Sequence, residues 1–299
     1  MTDPHAEHAA LVALLKTRPD KLTWRKLTDR ILDRGSAVDV WHTFHPESLI
    51  PSEDDIAPLE ESAAELSRWE GQGLTFLSAL DPRFPPQLQQ MASSRPFLFA
   101  RGELRDDDPA VAVVGSRNVS SRGRALTVRV AESLAAEGLT ITSGLAAGVD
   151  AAAHEAALKV GGRTVAFIAT GLNNSYPAVN RDLQAAVAER GLVLSQFWPD
   201  APPQKANFLQ RNALIAAYSL AAVVIEAGEN SGARNLARHA VEQGRPLILT
   251  DLVVTANDWA RQMLSVAGVH QATGPADVVE IVKRLSAGED THGRQPRPR

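Results

Sequence analysis

The octapeptide Lys205-Ala206-Asn207-Phe208-Leu209-Gln210-Arg211-Asn212 sets a cation on either side of an aromatic ring at the start of a predicted helix. That combination suits a single-stranded nucleic acid, whose bases stack on the ring while its phosphates pair with Lys205 and Arg211. The plainer alternative is a core phenylalanine between two solvated cations. A second candidate is Gly115-Ser116-Arg117-Asn118, where Arg117 carries a planar donor fork matched to phosphate oxygens. Gly115 and Gly144 each follow a short apolar run and precede a helix. Helix-initial N–H groups lack partners within the helix, so such turns offer partial positive charge as a seat for phosphate. The alternative is that both glycines serve only tight turns and Arg117 is solvated. A third turn of this kind, Ala227 to Ser231, precedes a helix that carries Arg234 and Arg238.

Carboxylate and imidazole chemistry is less well supported. Asp150 and His154 stand four apart on a predicted helix, the spacing of an acid/base or metal pair, but no third ligand follows at metal spacing. Helix-dipole and hydrogen-bond satisfaction accounts for both. Glu226 ends an apolar run without a second carboxylate or nucleophile near it in sequence. The dinucleotide fingerprint G-x-G-x-x-G with its later acidic residue is missing, as is the Gly-Lys-Ser/Thr ending of a P-loop. No catalytic residue, metal or cofactor is therefore expected.

The elements that position these residues read as alternating strands and helices. Val111 to Val114 is short and apolar enough for a buried strand. A helix capped by Ser120 or Ser121 follows, with Leu126, Val130, Leu134 and Ala135 at helical spacing, and Gly138 stops it. Further strands are predicted at Leu139 to Thr142, Thr164 to Ala169, Leu192 to Ser195, Leu220 to Ile225 and Leu247 to Thr250, with closing helices at Asp258 to Val266 and Ala276 to Leu285. Crossover rules make such strands parallel and bring the turns after them to one rim. The fold class is α/β: an extended Rossmann-like, mostly parallel sheet with helices on both faces. Leu98 to Gly102 reads as an edge strand joining it.

Residues 1–72 show helical patterns and no convincing strand, which predicts a small helical domain; 73–285 form the sheet domain, and the polar stretch 286–299 is expected to be disordered. Over 299 residues the net charge is −4, so bulk charge does not draw this chain to polyanions and any nucleic acid needs a local patch. Cysteine is absent, which removes disulfides and thiolate chemistry and fits a reducing cytoplasm. No secretory signal or membrane-spanning run is apparent, and a cytoplasmic location is expected.

Four segments together resemble the DNA-processing protein A family, DprA or Smf, over roughly Leu74 to Leu285. They are Val113-Val114-Gly115-Ser116-Arg117; Ser143-Gly144-Leu145-Ala146-Ala147-Gly148-Val149-Asp150 with Ala153-His154; Gly171-Leu172 through Tyr176-Pro177 and Asn180; and Phe208 through Arg211-Asn212 followed by Glu226-Ala227 and Ser231-Gly232. The resemblance implies a single-stranded-DNA-binding recombination mediator of natural transformation, which covers incoming strands, dimerises through its Rossmann domain and helps load the RecA recombinase. It also implies a DNA pocket of Gly115, Ser116 and Arg117 with Lys205, Phe208, Arg211 and Asn212, and a sterile-alpha-motif-like module over the first residues. Ala147 and Ala213 stand where the family usually carries Arg, Leu209 where it carries Pro, and Gln196 where it carries Glu. Many members continue into a winged-helix domain, whereas the last residues here read as a flexible tail. Two other readings remain: a nucleotide phosphoribohydrolase resembling the Lonely Guy family, which requires a Pro-Gly-Gly-x-Gly-Thr loop where Ala227-Gly228-Glu229-Asn230-Ser231-Gly232 stands, and a pure interaction scaffold.

Overall fold

Five consecutive apolar residues, Ala110–Val114, form a strand (β3) buried along its whole length. Such a run needs a neighbour on each side and helices on both faces, and β3 has both. The computed structural model describes residues 3–46, 53–94 and 96–287. Beyond β3, chain order gives α5 (Ser121–Ala136), β4 (Thr140–Ser143), α6 (Val149–Lys159), β5 (Thr164–Phe167), α7 (Arg181–Arg190) and β6 (Leu192–Ser195). It continues through α8 (Lys205–Tyr218), β7 (Ala221–Val224), α9 (Gly232–Glu242), β8 (Leu247–Thr250), α10 (Asp251–Ala256), α11 (Asp258–Met263), β9 (Val269–Ala272) and α12 (Pro275–Ser286). Before β3 lie α1 (Pro4–Thr17), α2 (Trp24–Arg34), α3 (Ala37–Phe44), α4 (Glu53–Gly71), β1 (Thr75–Ser78) and β2 (Phe97–Gly102).

Among the described residues the strands make one nine-stranded sheet in the order β1-β2-β6-β5-β4-β3-β7-β8-β9. Strands β3 to β9 run parallel, while β2 pairs antiparallel with both β6 and β1. From β3 the chain steps outward through β4, β5 and β6, then returns to β7 on the other flank. The order therefore reverses beside β3, and a crevice opens at the carboxyl ends of the strands there.

The helical layers follow the predicted apolar spacing. Leu126, Val130 and Leu134 of α5 pack with Val149, Ala153 and Ala156 of α6 against Val111, Val113, Ile141 and Val223. On the opposite face Leu214 and Ile215 of α8 and Leu236 of α9 cover Ala112, Val114 and Val224. The far end of α8 is anchored where the Tyr218 hydroxyl donates to the buried Asp108 at 2.8 Å, and burial and Asp108 push that phenol's pKa up. Helix starts take the expected caps: Ser120 accepts from Gly123 N at α5 and Ser231 from Ala233 N at α9.

The edges of the sheet differ from the expectation. The segment around Leu98 is not the sheet edge, because β1 lies outside it and pairs residue for residue from Thr75 with Ala100 to Ser78 with Phe97. The opposite edge, β9, was not anticipated: Val-His-Gln-Ala has little apolar signal because a terminal strand is covered on fewer sides. The first helices pack against the sheet. Leu11, Leu14, Leu27 and Trp41 belong to the same buried cluster as Phe97, Phe99, Ala166 and Val193, so helices and sheet share a core. Of the expected tail, Ser286 closes α12, and 288–299 lie outside the described residues.

Candidate nucleic-acid interface

The crevice above β3 is an open cleft of about 860 Å³. Ser116 and Arg117 come to it from the turn after β3, Asn230 to Gly232 from the turn after β7, and Lys205, Phe208, Arg211 and Asn212 from α8. Positions 205, 208 and 212 are separated by three and four residues, which puts all three on one face of the helix.

Arg117 and Phe208 meet although 91 positions separate them in the chain (208 less 117). The guanidinium carbon lies 5.0 Å from the ring centroid, within cation–π range. Arg117 and Lys205 are exposed, Phe208 half-buried. Tyr176, from the loop after β5, sets its ring 5.4 Å from that of Phe208 at 63° and remains 45% exposed. Sequence reasoning did not place Tyr176 in the site. The signal available was its position in a loop that follows a parallel strand, and so reaches the same rim. Arg117, Tyr176 and Phe208 also border a recess of about 110 Å³ floored by Gly144, Ala146, Ala147 and Ala169.

The glycines are there for close approach. A Cβ on Gly115 would lie 2.7 Å from both the Glu226 carbonyl oxygen and Val149 Cγ2. On Gly144 it would lie 1.6 Å from Arg211 Nη1. The turns are pinned accordingly: Ser116 N donates to Glu226 O at 2.7 Å, and Val149 N donates to Ser116 O at 3.1 Å.

Part of the expected seat of turn amides is taken up within the protein. Gly144 N and Ala146 N donate to Asp150 Oδ2 at 3.2 and 3.4 Å, and Asn118 N donates to Ser116 Oγ at 3.1 Å. At the start of α5 the Glu226 carboxylate accepts from Ser120 N at 3.0 Å and Ser120 Oγ at 2.5 Å. The protein's own carboxylates thus take up the amides of Gly144, Ala146 and Ser120, and Glu226, at the end of β7, reaches the start of α5.

The cations of the cleft divide into two kinds. Arg211 is 4% exposed, and its Nη1 donates to Phe167 O at 2.8 Å. Burial lowers its pKa to about 10, Asp150 opposes the shift, and Arg117 adds to it, so the guanidinium stays charged at neutral pH beneath the cleft. Asp150 is buried as well; burial raises its pKa and Arg211 opposes that. Asn212 Nδ2 donates to Gly232 O and Asn235 Oδ1, both at 3.2 Å, and ties α8 to α9. Arg117 and Lys205 are the exposed cations of the predicted set. Ala213 is buried in α8, and Ala147 lies beside the small recess. His154 is fully buried with Nδ1 2.6 Å from Thr164 Oγ1, and burial, then Arg211, lowers its pKa to about 3. Among the described residues no group of His, Asp and Glu is placed to hold a metal ion, and no helix is long and apolar enough to cross a membrane.

With this geometry in hand, known proteins give a consistent result. A family model described as DNA recombination-mediator protein A matches residues 75–283. Protein Smf of Synechocystis is 40% identical over 175 residues, 57% of this chain and 44% of that protein. The DNA processing protein DprA of Streptococcus pneumoniae is 36% identical over 227 residues, 72% of this chain and 78% of that protein. The chain therefore spans less than half of the Synechocystis relative. The X-ray structure of the pneumococcal DprA superposes with a TM-score of 0.72 at 32% identity, covering 94% of this chain and 98% of that one. A Helicobacter pylori DNA processing protein A, whose structure is described as giving insight into its unique single-stranded DNA binding mode, matches with a TM-score of 0.62 at 26% identity over 72% of this chain and 96% of that one. Since residues 75–283 include every strand of the sheet and the whole rim of the cleft, the chain belongs to the DNA recombination-mediator protein A (DprA) family.

Proposed function

We propose that this chain binds single-stranded DNA without catalysing a reaction on it, and that the cleft over β3 is where the strand lies. One observation carries the reading: an exposed guanidinium, Arg117, sits on the half-buried ring of Phe208 at the mouth of an open cleft that Lys205 also lines. A cation beside an aromatic gives a single strand what it needs, a partner for a phosphate and a platform for a base. In this reading Arg117 and Lys205 contact phosphates, and Phe208 and Tyr176 stack bases. Gly115, Ser116, Gly144, Arg211 and Asn212 build the floor and fix the approach of the turns. The single-stranded-DNA binding described for the Helicobacter relative supports it.

The finer role rests on the family resemblance. The chain would protect an incoming strand in the cytoplasm during natural transformation, act as a homodimer through the Rossmann domain, and pass the strand to the RecA recombinase. A phosphoribohydrolase reading is disfavoured by a particular contact: the Glu226 carboxylate, the acid best placed on the rim, is taken up by Ser120.

The test is fluorescence anisotropy with labelled single- and double-stranded oligonucleotides at low and high salt, beside a nucleotide-hydrolysis assay. Binding that favours single strands and weakens steeply with salt is expected. Equal affinity for both forms, or turnover of a nucleotide, would overturn the reading.

A further inference from the structure

The chain is acidic as a whole, yet its surface is not uniformly so. Between residues 18 and 34 stand Arg18, Lys21, Arg25, Lys26, Arg30 and Arg34, six exposed cations, against Asp20, Asp29 and Asp33, in a molecule of net charge −4. Helix α2 organises them. Its buried face is Leu27, Thr28 and Ile31, and Lys26, Arg30 and Arg34 fall four residues apart on the exposed surface. At 1.5 Å per residue, successive members stand about 6 Å apart along the axis. Asp29 is drawn to Arg25, whose Nε lies 4.0 Å from its carboxylate. Arg30 lies over the Phe44 ring with its guanidinium carbon 5.4 Å from the centroid, which leaves its donors unspent.

The position of α2 connects this stripe to the cleft. Trp24, the first residue of the helix, sets its ring 6.0 Å from that of Trp198, edge to face. Trp198 belongs to the segment that runs from β6 to Lys205 at the start of α8. The seven residues from Trp198 to Lys205 span at most about 25 Å when fully extended. A cation of the cleft and the first turn of α2 are thus within reach of one extended strand, with the exposed carboxylate of Asp200 the acidic group on the connecting segment.

We infer that Lys26, Arg30 and Arg34 form a second phosphate track, which holds the part of a single strand that continues past the cleft. The inference rests on the reading of the cleft as a single-strand site, and adds that long strands gain contacts on the helical region that short ones cannot reach. The ligand is the sugar–phosphate backbone, so the track carries no base preference.

The experiment compares oligothymidylates of about 6 and about 30 nucleotides, bracketing the site of a single binding fold. Wild type is measured beside Lys26→Gln/Arg30→Gln/Arg34→Gln, and beside Lys26→Gln/Arg34→Gln, which keeps the Arg30–Phe44 contact. The triple variant should bind the short oligonucleotide as wild type does. On the long one its log–log salt slope should be shallower by about 2, the loss of three single-strand phosphate contacts. The gap between wild type and variant should then narrow about twentyfold between 50 and 200 mM salt, and the double variant should lose about two-thirds of that slope. Unchanged slopes on the long strand in both variants would overturn the track while leaving the cleft intact. Equal loss on short and long strands would also overturn it, since it would place the three cations at the cleft itself. Failure of wild type to bind either length would fall on the cleft reading instead.

Discussion

Replacing Arg117 by alanine separates grip from architecture. The side chain is exposed and rests on the Phe208 ring, its guanidinium carbon 5.0 Å from the centroid, so folding loses about 0.5–1 kcal/mol, the scale of an exposed cation–π pair. Binding loses more. A charge-assisted hydrogen bond to phosphate contributes about 1.5–3 kcal/mol, which corresponds to a rise in Kd of roughly 10- to 150-fold. One lost phosphate contact also makes the single-strand salt slope shallower by about 0.7, so the deficit shrinks two- to threefold, as an approximate figure, between 50 and 200 mM salt. Fluorescence anisotropy on unrelated sequences should show the same loss for each, since a backbone contact reads no base. An unchanged slope, or a loss confined to one sequence, would refute the assignment of Arg117 to a phosphate.

Other expectations follow from the same geometry. Arg211→Met removes a buried cation that faces Asp150 and a donor to Phe167 O, and should cost about 3 kcal/mol of stability, read as a fall in Tm of roughly 10 °C. A variant that melts like wild type but binds DNA weakly would instead place Arg211 at the ligand. Tyr176→Ala should weaken binding by about 1–3 kcal/mol with no change in salt slope, because stacking releases no counterion; a change in slope would count against a stacking role. His154 is neutral in the fold, its pKa lowered from 6.5 to about 3, so the unfolded chain takes up a proton first as pH falls. Stability should drop by about 1.6 kcal/mol between pH 6.5 and 5 on its account, and denaturant midpoints of His154→Gln should be flatter over that range. Asp150, with its pKa raised, works in the opposite direction, and comparing variant with wild type cancels it. Parallel pH profiles would refute the assignment.

Much of the scaffold was legible in the sequence for physical reasons. Strands covered on both faces are mostly apolar, so Val111 to Val114 and Leu247 to Thr250 announced themselves, and Ser120 and Gly138 marked the ends of α5. What stayed hidden depended on contacts far apart in the chain. Glu226 and Ser120 are 106 positions apart, and nothing local identifies a strand-end acid as a cap. Arg211 and Lys205 look alike in sequence, and only the packing of α8 over Phe167 and Gly144 buries one and exposes the other. The edge strand β9 escaped because an edge can be polar, and the fused core of helices and sheet escaped because an apolar stripe does not name its partner.

The settled turn amides have a mechanical consequence. A rigid cradle of backbone donors would seize one phosphate and hold it, as enzymes that process free nucleotides do. Here the amides of Gly144, Ala146, Asn118 and Ser120 are already spent on Asp150, Ser116 and Glu226, and the exposed cations of the cleft are the long side chains of Arg117 and Lys205. If the cleft holds a single strand as proposed, a lone mononucleotide would find little to seat it, whereas a polymer could be released at one link while gripped at the next.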